Sequence, residues 1–248
     1  MIPRFSGRGN LALEGDVDTC IVQLLQLVRS RYSGHRKPMD LAQKLQFFTL
    51  DVISTIGFGK CFDLLGMDED LEEYLKSTHR TKRYPPLPSI QPASIQNPPG
   101  GDREAVRLGK APPAPEIINY TQAKQLKYIQ AAIREGHRIF PLLNSTFSRD
   151  ATPEGDMVTI DGQEVYLPGV FSIIPAFMAM HRNKSIYEED VDIFRPERWL
   201  EEVDEKKLES MKYENDLVFG HGQWLCLGKG IAMLEMSKVT FELLRNFH

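Results

Sequence analysis

Cysteine and tryptophan are scarce in this 248-residue chain, with three of the first and two of the second. Cys20, Cys61 and Cys226 lie far apart and show no C-x-x-C spacing, which argues against a zinc site and against a disulfide framework and fits a reducing compartment. Long apolar runs are lacking as well. The opening MIPRFSGRGNLALEGD holds no stretch long enough for a signal peptide or a bilayer span, and no later segment does, so the chain as given is expected to carry no membrane anchor. Nor is there an excess of one charge: 30 Lys and Arg stand against 34 Asp and Glu, a net of −4, which makes nucleic acid a poor partner. What remains is an ordinary globular composition, 42% hydrophobic and 26% charged, over a length that suits one sizeable domain or two small ones.

Apolar periodicity organises the chain. Residues 16–33 read as a helix with Val17, Ile21, Leu24 and Val28 on one face. A second helix follows Pro38, with Leu41, Leu45, Phe48, Val52 and Ile56 recurring at steps of three or four, and Gly57 and Gly59 end it. MDEDLEEYLKSTH, from residue 67, reads as a short exposed helix. Nine of the 16 prolines then fall between Tyr84 and Glu116, a composition that cannot propagate a helix or a sheet, so this interval is expected to be irregular linker. Order resumes at Thr121 with a helix that turns Leu126, Ile129 and Ile133 inward and stops at Pro141. A β-hairpin is expected around Asp161-Gly162, and an extended segment turning into a short helix after Pro175. Leu227 to Phe247 is helical, with Ala232, Met236, Val239 and Leu243 on its buried face. The division is therefore 1–78, an N-terminal helical segment; 79–116, a proline-rich linker; and 117–248.

One thiol stands out. FGHGQWLCLGKG, residues 219–230, sets Cys226 among four glycines at the start of the last helix. Most free cysteines are buried core thiols, but three local features point elsewhere. Gly222 and Gly228 permit backbone conformations that other residues resist. The dipole and free N–H groups of the following helix favour a thiolate. Phe219 and Trp224 supply flat apolar surface. A thiolate receiving N–H hydrogen bonds beside a large planar group describes a haem-iron ligand.

FGHGQWLCLG fits F-x-x-G-x-x-x-C-x-G, the haem-binding signature of cytochrome P-450 monooxygenases, at Phe219, Gly222, Cys226 and Gly228. EGHR at 135–138 resembles the family's E-x-x-R, with Glu135 and Arg138 three apart on one helix face. FRPERW at 194–199 resembles its P-E-R-F segment, and the three motifs come in the family's order. The likeness is strong from about Ile117 onward, weaker over DLAQKLQFFTLDVISTIGFGKCFDLL, and looks most like the fungal pisatin demethylase and benzoate hydroxylase branches.

The resemblance implies a mainly α fold with a small β-sheet, a partial version of the family's fold lacking the N-terminal anchor and the distal oxygen-binding helix, with residues 79–116 as the deletion junction. It implies haem as cofactor, Cys226 as axial ligand to its iron, and a buried triad of Glu135, Arg138 and Arg198. Arg149 resembles the strand arginine that pairs with a haem propionate, and Trp224 stands where a second propionate-binding arginine is usual. His137 and His221 read as helix-surface or loop histidines rather than iron ligands. No distal acid–alcohol pair is found, so no catalytic residue is assigned. The implied reaction is hydroxylation or dealkylation of a small apolar molecule in fungal secondary metabolism, with contacts from Leu142 to Phe147 and electrons from an NADPH–P-450 reductase. Relatives of full length usually sit on the endoplasmic reticulum membrane. The alternative is a truncated, catalytically inactive remnant with at most haem or partner binding.

Overall fold

The computed structural model describes residues 10–35, 37–70, 102–141, 148–200 and 204–247. These fall into two compact units, one within Met1–Ile133 and Leu225–His248, the other within Arg134–Trp224. The grouping differs from the segments at 1–78, 79–116 and 117–248, because the last helix packs with the first two rather than with the residues that precede it.

In the first unit, apolar periodicity becomes helix. α1 (Asn10–Leu27) buries Val17, Ile21 and Leu24, and its apolar face runs on through Val28 into a wider π turn, Val28–Tyr32. α2 (Leu41–Phe58) starts where the Asp40 side chain accepts the Gln43 N–H at 3.1 Å, and it stops at Gly59, whose φ of +67° a side chain would resist. Phe47, Phe48 and Val52 are buried, whereas Leu41, the first member of the apolar repeat, is exposed at the helix start. The short α3 (Leu64–Met67) is anchored by the fully buried Asp51, whose carboxylate accepts the Leu64 and Leu65 N–H groups at 3.0 and 2.9 Å. The continuation of MDEDLEEYLKSTH beyond Asp70 lies outside the described residues.

The interval expected to be irregular is not wholly so. α4 (Asp102–Arg107) occupies the proline-free stretch between Pro99 and Pro112, long enough for more than one turn. Ala105 and Ala111 are buried in a core with Ile118, Leu126, Ile129, Ile133 and Phe241. The Arg245 guanidinium donates to the Pro112 carbonyl at 2.7 Å and to that of Glu116. Buried Glu242 accepts the Ile118 N–H at 2.9 Å. Residues 102–118 are thus held by contacts that composition does not reveal; residues 71–101 lie outside the described residues.

The helix expected from Thr121 is two. α5 (Tyr120–Lys124) opens with a reciprocal cap between Asn119 and Gln122, and α6 (Lys127–Ile139) follows after a break at Gln125. In the second unit, β1 (Arg149–Asp150) pairs antiparallel with β4 (Ser172–Ile173), and β2 (Asp156–Ile160) pairs with β3 (Gln163–Leu167). Asp161 and Gly162 join the hairpin at φ +50° and +78°, the left-handed pair that a two-residue turn requires. α7 (Phe177–Met180), α8 (Lys184–Tyr187), a 3₁₀ turn at Pro196–Trp199 and α9 (Glu205–Asp216) lead to 3₁₀ turns at Leu217–Phe219 and Gly222–Trp224. The last helix, α10 (Lys229–Asn246), returns to the first unit. Its Leu234 and Val239 join the α1–α2 core, and its buried Lys238 pairs with Glu14 and Asp18 of α1 at 2.6 and 2.5 Å. The fold is mainly α with small two-stranded antiparallel sheets, as the resemblance implies.

Glu235 of α10 is buried, with the Thr49 hydroxyl of α2 at 3.5 Å, and burial pushes its carboxyl up to about 7 from an ordinary 4.5. Between those values the folded chain keeps a proton that the unfolded chain has released, so stability falls as pH rises through this window and levels off above it. Glu235→Gln should therefore be more stable than the parent at pH 8, by on the order of 1–3 kcal/mol. The gain should vanish near the ordinary carboxyl value, 4.5, in urea unfolding followed by circular dichroism.

Candidate functional site

α6 organises the second unit from its C-terminal half. Glu135 and Arg138 lie on one face and are fully buried. Arg138 meets the Glu135 carboxylate in a two-pronged contact, Nε to Oε2 at 2.9 Å and Nη2 to Oε1 at 2.8 Å. The structure brings Arg198 to the same carboxylate, Nε to Oε1 at 3.1 Å. The Trp199 indole N–H reaches Oε2 at 3.0 Å and the Arg195 backbone N–H reaches Oε1 at 2.9 Å. Five donors thus converge on one carboxylate.

The guanidinium groups spend their other donors on backbone. Arg138 donates to the carbonyls of His181, Val191 and Ile193 at 3.0, 2.6 and 3.0 Å, and its guanidinium lies 5.4 Å from the centre of the Tyr187 ring. Arg198 donates to the Tyr187 carbonyl at 2.8 Å and to the Asp190 carboxylate at 3.0 Å. One carboxylate facing two guanidinium groups leaves a surplus positive charge, and Asp190 offsets it. Burial pushes the Asp190 carboxyl up, but the Arg198 hydrogen bond and the Arg198 and Arg195 charges outweigh burial and leave it below the ordinary value. Asp190, Trp199 and the Arg195 N–H are partners that sequence reasoning missed. Trp199, next to Arg198 in FRPERW, carried a signal; Asp190, one acid within EEDVD, carried none.

The same end of α6 also holds the approach to the cysteine loop. Arg134 pairs with Asp216 at 3.0 Å, and Asn215 donates to the Arg134 carbonyl at 3.1 Å. His137 is buried with its ring edge against Phe219, centroids 5.3 Å apart, which corrects its placement on the helix surface. His221 is exposed and lies edge-on to Tyr213.

Within the loop, Phe219 is buried, while Gly220 and Gly222 take φ of +78° and +59°, where a side chain would be strained. Gly228 is different. Its φ of −81° suits any residue, so the expected conformational need for glycine is absent there; a Cβ at this position would sit 3.7 Å from the Cys226 sulfur, an ordinary contact. The Cys226 side chain is exposed and forms no disulfide. Among the described residues no N–H donates to its sulfur, contrary to the hydrogen-bonded thiolate expected, because the thiol precedes the first turn of α10 by three residues. Its neighbours along the chain are exposed and apolar: Trp224 at 59%, Leu225 at 50% and Leu227 at 74%. Arg149 sits on β1 with its guanidinium 4.7 Å from the Trp224 ring centre. Leu142–Phe147, expected to contact substrate, lie outside the described residues.

Among the described residues no three His, Cys, Asp or Glu side chains gather as metal ligands. The donor available at Cys226 is a lone accessible thiol flanked by apolar surface. That chemistry fits haem, which brings four ring nitrogens to its iron and needs one soft axial ligand and apolar cover. Among the described residues no helix is long and apolar enough to cross a membrane.

The chain belongs to the cytochrome P-450 family: a model of that family matches residues 108–248, more than half its length. The family carries haem and generally draws electrons from a reductase. Among similar proteins, cytochrome P-450 monooxygenase ABA1 of Pyricularia oryzae is 26% identical over 343 aligned positions, which take in 98% of this chain and 66% of that protein. Cytochrome P-450 monooxygenase abl1 of Leptosphaeria maculans is 39% identical over 125 residues, covering 50% of this chain and 21% of its own. A pisatin demethylase of Fusarium vanettenii is 36% identical over 130 residues, covering 52% and 24%. The chain thus spans just under two thirds of the length of the first of these, and the 343-position alignment exceeds its 248 residues, so gaps fall on this chain's side.

Removing the Glu135 carboxylate leaves two buried guanidinium groups facing each other, which is far costlier than losing an exposed pair. Glu135→Ala should destabilise the protein by on the order of 3–5 kcal/mol in chemical denaturation. A melting curve matching that of the parent would mean that the carboxylate is not the hub its geometry describes.

Proposed function

We propose that this chain is a haem-thiolate monooxygenase of fungal metabolism, with Cys226 as the axial ligand to haem iron. The observation that carries the reading is the lone exposed thiol on the glycine loop, Cys226, with apolar neighbours on both sides. When bound, haem would supply activation of dioxygen with two electrons from a reductase and two protons from solvent, one oxygen atom entering a C–H bond of the substrate and the other leaving as water.

The protein's own residues provide the setting. Cys226 supplies the thiolate, Phe219, Gly222 and Gly228 shape its loop, and Trp224 offers an apolar face with Arg149 beside it. Glu135, Arg138 and Arg198 contact no reacting atom; their role is to clamp residues 187–199 on α6. The substrate class is a small apolar molecule, hydroxylated or dealkylated, by kinship with proteins named as monooxygenases and pisatin demethylase. The electron donor is an NADPH–P-450 reductase.

A second reading is favoured by the gaps on this chain's side of its alignment with the Pyricularia oryzae monooxygenase: a remnant that takes up haem but does not couple it to substrate oxidation. In that case reduced protein would pass its electrons to dioxygen, which leaves as peroxide, instead of into oxidised substrate.

One titration separates these outcomes. Purified chain mixed with haem should give a thiolate-type spectrum, its reduced carbon-monoxide complex showing the red-shifted Soret band, and Cys226→Ser should abolish it. Product formed in step with NADPH consumption, with reductase present, supports the monooxygenase; peroxide without product supports the remnant. No thiolate-type spectrum at all would refute the haem assignment.

A further inference from the structure

Carboxylates at the helix contacts of the first unit have strong partners, with one exception. Asp51 accepts two backbone N–H groups, Glu242 accepts the Ile118 N–H and pairs with Arg245 at 2.7 Å, and Glu14 and Asp18 share the Lys238 ammonium. Glu235 of α10 is only 6% exposed, yet among the described residues its sole partner is the Thr49 hydroxyl of α2 at 3.5 Å, the outer limit of a hydrogen bond. No cation is free to face it. On α2, Lys44 is committed to Asp68 at 2.5 Å and Asp51 to the start of α3; on α10 itself, Lys238 is held by Glu14 and Asp18. On α1 the titratable neighbour is the Cys20 thiol, which burial and then the charges of Cys61, Asp51, Glu235 and Asp16 push up to about 12, so it stays neutral. Burial, against the smaller pull of Thr49, therefore sets the state of this carboxyl, and no neighbouring charge does.

The place of Glu235 in the helix gives this imbalance a mechanical consequence. C-terminal to it, α10 is tied down: Ser237 accepts from Gln130 at 3.1 Å, Lys238 pairs with α1, Phe241 packs with Ile118, and Arg245 donates to the Pro112 carbonyl. N-terminal to it, residues 229–233 have no fully buried side chain. That helix start is bonded directly to the cysteine loop, the Lys229 N–H donating to the Cys226 carbonyl at 3.3 Å and the Ala232 N–H to that of Gly228 at 2.9 Å. Leu234 and Glu235 are thus the first residues that seat it. We propose that Glu235 is a proton-operated latch between α10 and α2. Protonated, it lets Leu234 and the helix start pack on the α1–α2 core; ionised, it must reach water, and the turns from Lys229 to Glu235 lift from Thr49 while the rest of α10 stays docked. The bistable element is one helix end, and one carboxylate biases it. An acid buried neutral favours the seated state at low pH, and that advantage is lost as pH rises from 4.5 to about 7. The latch lies within one unit and is independent of what the Cys226 thiol binds.

The test is backbone hydrogen exchange of the full chain from about pH 5 to pH 8, read by mass spectrometry and corrected for the intrinsic pH dependence of exchange. Protection over residues 229–236 should fall as pH rises and level off above about 7; the carboxyl values of 4.5 and about 7 set the full fall at about 300-fold. Protection over residues 237–246 should stay level. Glu235→Gln cannot ionise, so its protection over residues 229–236 should not fall with pH. Thr49→Val removes the one hydrogen bond that favours the ionised form, so the levelling-off point should move to higher pH. A flat profile in the parent, or a fall that persists in Glu235→Gln, would overturn the proposal. A fall shared equally by residues 237–246 would overturn it too, because it marks loss of the whole helix instead of its start. Circular dichroism shows whether each variant folds. Should Glu235→Gln not fold, Thr49→Val decides, and an unmoved levelling-off point counts against the latch.

Discussion

A single buried carboxylate sets the terms for the second unit. Glu135 is fully removed from water and survives there because five hydrogen bonds surround it, from two guanidinium groups, an indole and a backbone N–H. Each partner is itself locked: Arg138 by three carbonyls, Arg198 by Tyr187 and Asp190. Buried charges of this kind are costly singly and tolerable only as a complete set. The segment from Tyr187 to Trp199 has little regular structure, and these bonds are what hold its backbone carbonyls in place.

From the same turns of α6 the approach to the cysteine loop is held by Arg134, whose side chain pairs with Asp216, and by His137 against Phe219. The division of labour is clear. Glu135 and Arg138 on α6 are saturated with partners and buried, as structural groups should be. The thiol is exposed, in no disulfide, and followed by exposed leucine. Trp224 and Arg149 are one ring and one cation satisfied by each other and by little else.

The first unit solves the same problem of buried charge with more local means. Asp51 caps the backbone of α3, Glu242 takes the Ile118 N–H, and Lys238 joins α10 to α1 through Glu14 and Asp18. Glu235 is the exception. It has one weak hydroxyl partner and a carboxyl raised to about 7, so the electrostatic strain on this unit is greatest above neutral pH, where that carboxyl ionises.

Local rules carried by the residues themselves determined a good part of this protein. Apolar spacing settled that α1, α2 and α10 are helices, although of the face expected to be buried on α10 only Val239 is, while Ala232, Met236 and Leu243 are half-buried because Leu234, Lys238, Phe241 and Glu242 take the packed side. Asp161-Gly162 settled the hairpin turn; Gly59 settled the end of α2; and the order of E-x-x-R, P-E-R and the cysteine motif settled the family. Each depends on neighbours within a few residues or on a pattern written in the chain. Tertiary structure decided what those rules cannot reach. That residues 102–118 pack rests on Phe241 and Arg245, more than a hundred residues away. Asp190 and Trp199 became partners of the α6 charges only when the chain folded back on that helix. Gly228 proved to have an ordinary backbone, and His137 a buried ring, because loop path and helix facing are set by what packs against them. Trp224 read as a lost cation in the sequence; only folding, which brings Arg149 across from a strand 75 residues earlier, showed what the ring holds.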